Sequence, residues 1–208
     1  MGQRLSVLTR AVAGAAFARR VEPSRVIAED ADRVSRACHD MAQRFSRGGK
    51  LIVFGTGGAS TDAQHVAVEF VHPVIVGKRA LPALSLTNDV ATVTGVAAHE
   101  GLGEVFAHQL HYLADPEDIA LGISADGQCA HVHRGFQVAK KLGLLTIALT
   151  GGDGGEIAAS ASVDHAFVAR SDDPAVVKEV HVTTYHILWE LVHVFFERPG
   201  VLGPEMVR

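Results

Sequence analysis

His65 and Glu69 stand four residues apart in the run Asp62-Ala63-Gln64-His65-Val66-Ala67-Val68-Glu69. On a helix that spacing puts both on one face. An imidazole and a carboxylate held together can bind a divalent metal or pass a proton during enolisation. Alone, the same pair is an ordinary helix-surface contact worth about 0.2–0.5 kcal/mol. Farther on, Lys178, Glu179, His181, His186 and His193 share one helical stretch. His186 interrupts an apolar run of Tyr185, Ile187, Leu188 and Trp189. Such a histidine is ordinarily a hydrogen-bonded core residue, and a chain with 12 histidines offers coincidences. Nothing local brings His186 to Glu69.

Three Gly- and Ser-rich segments add a second kind of chemistry: GTGGAS over 55–60, ISADGQC over 123–129 and LTGGDGG over 149–155. Each follows a short apolar run and precedes a helical one. Glycines there let backbone approach an anion, and a helix N-terminus offers free N–H groups. A tight strand-to-helix turn explains one such loop equally well. Three at equivalent positions favour a phosphorylated small molecule. The spacing is neither a dinucleotide fingerprint nor a P-loop. Ser124 suits a phosphate, whereas Asp126 repels one unless protonated or paired, so Asp126 is read as a turn or cap residue. Asp153 is read as a cap.

The elements that must position these groups follow from the texture of the chain. Apolar runs at 51–54, 81–86, 118–124, 144–150 and 163–168 are short and bounded by Gly, Asp or Ser. Helical segments alternate with them, over about 60–72, 88–98, 103–113, 128–142, 154–160 and 174–197. That alternation predicts a five-stranded parallel sheet covered on both faces, doubly wound and flavodoxin-like. Ligands on such sheets bind beyond the carboxyl ends of the strands. Two helices precede the sheet, at about 4–20 (Leu5, Leu8, Val12, Ala15, Ala16) and 24–47, with a break expected at Pro23 and an end at Gly48 and Gly49. Their stripes need no sheet, so a bundle with partner chains is expected. The divisions are a helical arm over 1–48, an α/β domain over 49–198 and a tail over 199–208.

Composition limits the options. The 208 residues are 48% apolar and 20% charged, with net charge −4, which suits one globular domain and excludes whole-chain disorder. The balance argues against a broad basic surface for nucleic acid. Cys38 and Cys129 form no disulfide framework. No apolar run reaches the ~18–20 residues of a membrane span. Arg4, Arg10, Arg19 and Arg20 interrupt any export-signal core at the start, so a cytoplasmic protein is expected.

GTGGASTDAQHVAVEF, DIALGIS with its downstream glycine, LTGGDGG and KEVHVTTYH together resemble the sugar isomerase (SIS) domain. Within it, they are most similar to the phosphoheptose isomerases and to the replication-initiator-associating SIS proteins. The resemblance spans nearly the whole chain. It implies a five-stranded parallel sheet flanked by helices, in a homotetramer whose sites draw on more than one subunit. It further implies interconversion of a seven-carbon ketose phosphate and an aldose phosphate through an enediol. On that reading Glu69 is the base and His186 its acid–base partner, and His65, Glu69 and His186 are the zinc ligands. Thr56, Gly57, Gly58, Ala59, Ser60, Ser124, Asp126, Gly127 and Lys178 then line the substrate site.

Several positions depart from the family pattern. Lys178 stands where the family has a glutamine ligand, and an ammonium does not ligate unless deprotonated; it either pairs with Glu69 or points elsewhere. Ala59 replaces a serine, although Ser60 follows. In the phosphate loop only Ser124 and Gly127 are kept, and Asp126 brings negative charge. Ala98-His99 replaces an Asn-Asp pair, and His99 is read as a polar site residue or a compensating cation. The acid–base pair is retained while much of the phosphate clamp is not. The expected function is therefore a phosphoheptose isomerase-like enzyme with an altered substrate. The alternative is a non-catalytic sugar-phosphate-binding or regulatory SIS protein with a protein partner.

Overall fold

The computed structural model describes residues 2–198 and 200–202. The predicted tail, apart from 200–202, lies outside the described residues, as do the side chains of Leu5 and Leu8. Helices α1 (Gly2–Glu29) and α2 (Ala31–Ser46) lead into an alternating series. It runs β1 (Leu51–Gly55), α3 (Gly58–Val71), β2 (Ala83–Ser85), α4 (Val90–His99), a 3-10 turn (Leu102–Glu104) and α5 (Val105–Leu113). Then follow β3 (Ile119–Ser124), α6 (Ala130–Lys141), β4 (Leu145–Gly151), α7 (Gly155–Ala158), β5 (His165–Ala169) and α8 (Pro174–Phe196). The strands form one sheet in the order β2-β1-β3-β4-β5, every pair parallel. This is the doubly wound, flavodoxin-like arrangement expected from the alternation.

The unbroken apolar runs have a direct cause. Every residue of β1, β3 and β4 is buried, because helices cover both faces of the sheet. Side chains alternate between the two faces. Leu51, Val53, Leu121 and Ile147 face a core shared with Met41, Phe45, Phe70, Leu188 and Trp189 of α2, α3 and α8. Ile52, Phe54, Ala120 and Ala148 face Phe106, Leu110 and Phe136 of α5 and α6.

The N-terminal region differs from expectation in two respects. Pro23 does not break the first helix, which continues to Glu29; the break falls at Asp30. Proline removes one hydrogen bond, and packing offsets it here. Pro23 is buried, Arg20 pairs with Glu179 of α8, and Ile27 packs against two core clusters. The stripe of α2, expected to need no sheet, is instead buried within the chain against the sheet and α8, whereas α1 leaves Val12, Phe17 and Val21 exposed. Among the described residues, no helix is long and apolar enough to cross a membrane.

Candidate active site

The sheet order reverses between β1 and β3, and a crevice opens beyond the carboxyl ends of those strands. A cavity of about 390 Å³ lies there. Its walls come from Thr56, Gly58 and Ala59 after β1, from Ser124, Asp126 and Cys129 after β3, and from Asp62, Lys178 and His181 on α3 and α8. Gly57 starts α3 at φ +58 and ψ −126, a conformation side-chain-bearing residues avoid. Of the predicted binding residues, Gly57, Ser60 and Gly127 sit in the same loops but do not line the cavity; Ser60 Oγ instead donates to Gly57 O at 2.7 Å.

Lys178 does not meet Glu69. Its ammonium lies 2.7 Å from both carboxylate oxygens of Asp62, 3.1 Å from Gly58 O and 3.3 Å from Thr61 Oγ1. Asp62 is almost fully buried and needs such a partner. The bridge ties the start of α3 to α8. Asp126 behaves as a turn residue, its Oδ1 accepting from Gln128 N at 2.9 Å and from Ser124 Oγ at 3.2 Å. Asp153 likewise accepts from Gly155 N. His99 ends α4, exposed, with Nδ1 2.9 Å from Gly95 O.

One and two helical turns past Asp62, α3 carries His65 and Glu69. His65 Nε2 is 3.2 Å from Glu69 Oε1, and Nδ1 is 2.7 Å from the Tyr185 hydroxyl. Burial, reinforced by the charges of Asp62 and Glu69, pushes the Tyr185 phenol well above its ordinary range, so it stays protonated and pairs with Nδ1 as donor or acceptor according to the His65 tautomer. When Nδ1 accepts, Nε2 carries a proton toward Glu69. The rings of His65 and His186 are 5.2 Å apart, edge to face. Donor atoms of His65, Glu69 and His186 all lie within 4.8 Å of one another. Two nitrogens and one carboxylate oxygen at that separation suit a divalent metal, with Lys178 held away from the set. On α3 the rise from Asp62 is about 4.5 Å to His65 and about 10 Å to Glu69, three and seven helical residues, and neither these two nor His186 line the cavity.

Local sequence reasoning missed Asp62, Tyr185, His181 and the Cys129–His131 pair. His181 is buried and contacts Thr150 O at 2.9 Å; burial lowers its imidazole pKa, so it is neutral. His131 Nε2 lies 3.0 Å from both Cys129 Sγ and Thr56 Oγ1, and burial lowers its pKa too. Burial of His181 is visible in the apolar spacing of α8, but its partner Thr150, 31 residues away, and the Thr56 partner of His131, 75 residues away, are not.

A doubly wound parallel sheet, a cavity at its switch point lined by Thr56, Gly58 and Ser124, and a separate His65–Glu69–His186 cluster on α3 and α8 define an α/β domain with a candidate small-molecule site. The chain belongs to the SIS domain family, whose pattern matches residues 17–151. It is 38% identical over 173 residues to the phosphoheptose isomerase of Thermodesulfovibrio yellowstonii, covering 83% of this chain and 85% of that one. Among solved structures it is similar to the phosphoheptose isomerase of Neisseria gonorrhoeae, with TM-score 0.79 and 29% identity, covering 89% of this chain and 98% of that one. The Francisella tularensis phosphoheptose isomerase gives TM-score 0.81 and 28% identity over the same shares.

Proposed function

We propose that this protein is an aldose–ketose isomerase acting on a phosphorylated ketose, of the phosphoheptose isomerase type. The observation that carries the reading is the meeting of Glu69 and His186, 117 positions apart in the sequence, in a relative of those isomerases. Isomerisation moves one proton between adjacent carbons and one between their oxygens. Glu69 takes the proton from the hydroxyl-bearing C1 of the ketose, leaving an enediol, and returns it to C2. His186 donates a proton to the C2 oxygen and accepts one from the C1 oxygen, so the atoms balance. Tyr185 is a positioning residue that fixes the His65 ring.

His65, Glu69 and His186 would hold zinc, with a fourth position open as in catalytic zinc sites. Bound there, the metal supplies Lewis-acid polarisation of the substrate carbonyl. A tightly bound metal requires His65 to ligate through unprotonated Nε2, and the Nδ1 proton then points to the Tyr185 oxygen. The test is turnover of a panel of ketose phosphates by metal-replete protein, with metal content measured alongside. Conversion is expected with sedoheptulose 7-phosphate, and chelation should lower it at least tenfold. No conversion of any member would remove the enzymatic reading in favour of a regulatory one.

We also propose that the active form is a homotetramer. Phe17 and Val21 of α1 and Ile187 and Leu191 of α8 line an apolar groove of about 740 Å³, and Val68, Val71 and Ile187 are exposed beside the cluster. Exposed apolar patches of this kind mark association surfaces. Sedimentation equilibrium should give four times the chain mass, and a monomer at micromolar concentration would contradict it.

A further inference from the structure

The cavity beyond β1 and β3 holds three charged side chains among the described residues that line it: Asp62, Lys178 and Asp126. Asp62 and Lys178 neutralise each other. Among the described residues, Asp126 makes no ion pair with a cation. Its Oδ1 instead takes a hydrogen bond from the Ser124 hydroxyl and another from the Gln128 backbone N–H, and Ser124 Oγ in turn accepts from Gly127 N at 3.1 Å. Hydroxyl and backbone N–H groups in a strand-to-helix loop are the donors an anionic ligand uses. Here a carboxylate of the protein already occupies them.

We propose that Asp126 is the specificity-determining residue of this cavity: an internal anion that holds the loop's donors and competes with the phosphate of the ligand. The inference rests on the sugar-phosphate reading for the identity of that ligand. A phosphate ester must either displace the carboxylate from Ser124 and Gln128 or sit beside it, and at this exposed position the like-charge repulsion is screened but still opposes binding at hydrogen-bonding range. Recognition therefore shifts from the phosphate to the hydroxylated part of the ligand, which can donate to Asp126. Ligands with an uncharged or hydrogen-bond-donating end are penalised less than dianions.

The experiment measures affinity for inorganic phosphate by calorimetry in the full-length protein and in Asp126→Asn. Asparagine keeps an acceptor for Ser124 and Gln128, so the loop retains its shape while the charge is removed. Phosphate is expected to bind at least tenfold tighter to the variant; equal or weaker binding overturns the proposal. A second measurement needs no variant. In the unsubstituted protein, a ketose phosphate should bind less than tenfold tighter than the same ketose without phosphate, and a larger advantage overturns the proposal. Turnover is read on the same samples. Tighter phosphate binding without turnover in either protein removes the isomerase reading alone. Turnover with an unmoved phosphate affinity removes the role of Asp126 alone.

Discussion

Replacing Glu69 by glutamine is expected to lower kcat for ketose phosphate isomerisation by about three orders of magnitude, within the ~10²–10⁴-fold range of general acid–base groups. That corresponds to about 4 kcal/mol of transition-state stabilisation. Glutamine has nearly the shape of glutamate, and its amide oxygen can still accept from His65 Nε2 at the position Glu69 Oε1 now holds. The carboxylate side chain is only 14% exposed, so bulk water does not readily replace it as base. KM should move by less than about threefold, the pattern of a group acting only in the transition state. Because Glu69 also faces the metal position, metal content must be assayed in parallel. Exchange of the C1 proton with deuterated solvent gives a second readout. A variant that keeps a tenth of wild-type turnover, or that still exchanges that proton, would show that the base lies elsewhere.

The second large effect concerns folding. Gly127 has φ +72, and a Cβ there would lie 2.0 Å from Gly154 O and 2.4 Å from Gly154 C. Both obstacles are backbone, so no side chain can swing aside. The loops after β3 and β4 are further joined by Ile157 N donating to Gly127 O at 3.1 Å. For Gly127→Ala, the left-handed conformation costs ~1–2 kcal/mol and overpacking another ~1–3 kcal/mol. A loss of about 3–4 kcal/mol is a large share of the ~5–15 kcal/mol that stabilises a typical domain. The melting temperature should fall by roughly 10 °C, at ~2–4 °C per kcal/mol for this chain length. Gly152→Ala is the matched control. Its φ is +63, but nothing lies within 4 Å of the added Cβ, so only the backbone cost applies, and its melting temperature should fall less than half as far. Equal melting temperatures for the two variants, by circular dichroism, would show that the contact with Gly154 is not limiting.

The sheet was legible because its signal is local. Runs such as Leu51 to Phe54 and Ile119 to Ile123 are apolar at every position, which only a strand buried on both faces requires. The break at Pro23 was misread because proline's cost is also local, while the packing of Ile27 and the Arg20–Glu179 pair that offset it are not. Asp126 and Asp153 could be read as turn residues because their partners lie two residues away. The shared helical face of His65 and Glu69 was visible from spacing. Their meeting with His186 came only from the family resemblance, since α3 and α8 are separated by most of the sheet in sequence. The fate of Lys178 was not visible at all: Asp62, its partner, is 116 residues away, and charge type alone did not distinguish Asp62 from Glu69.

The bridge between Lys178 and Asp62 has a consequence for inhibitor design. An ammonium has three hydrogens, and four acceptor atoms already surround this one. A medicinal chemist who aimed an acidic warhead at the cavity's lysine would have to strip it from a carboxylate whose side chain is 8% exposed, leaving that carboxylate stranded out of water. Neutral polyol scaffolds that reach along the two helices toward the imidazoles incur no such loss, and they are the sounder starting compounds.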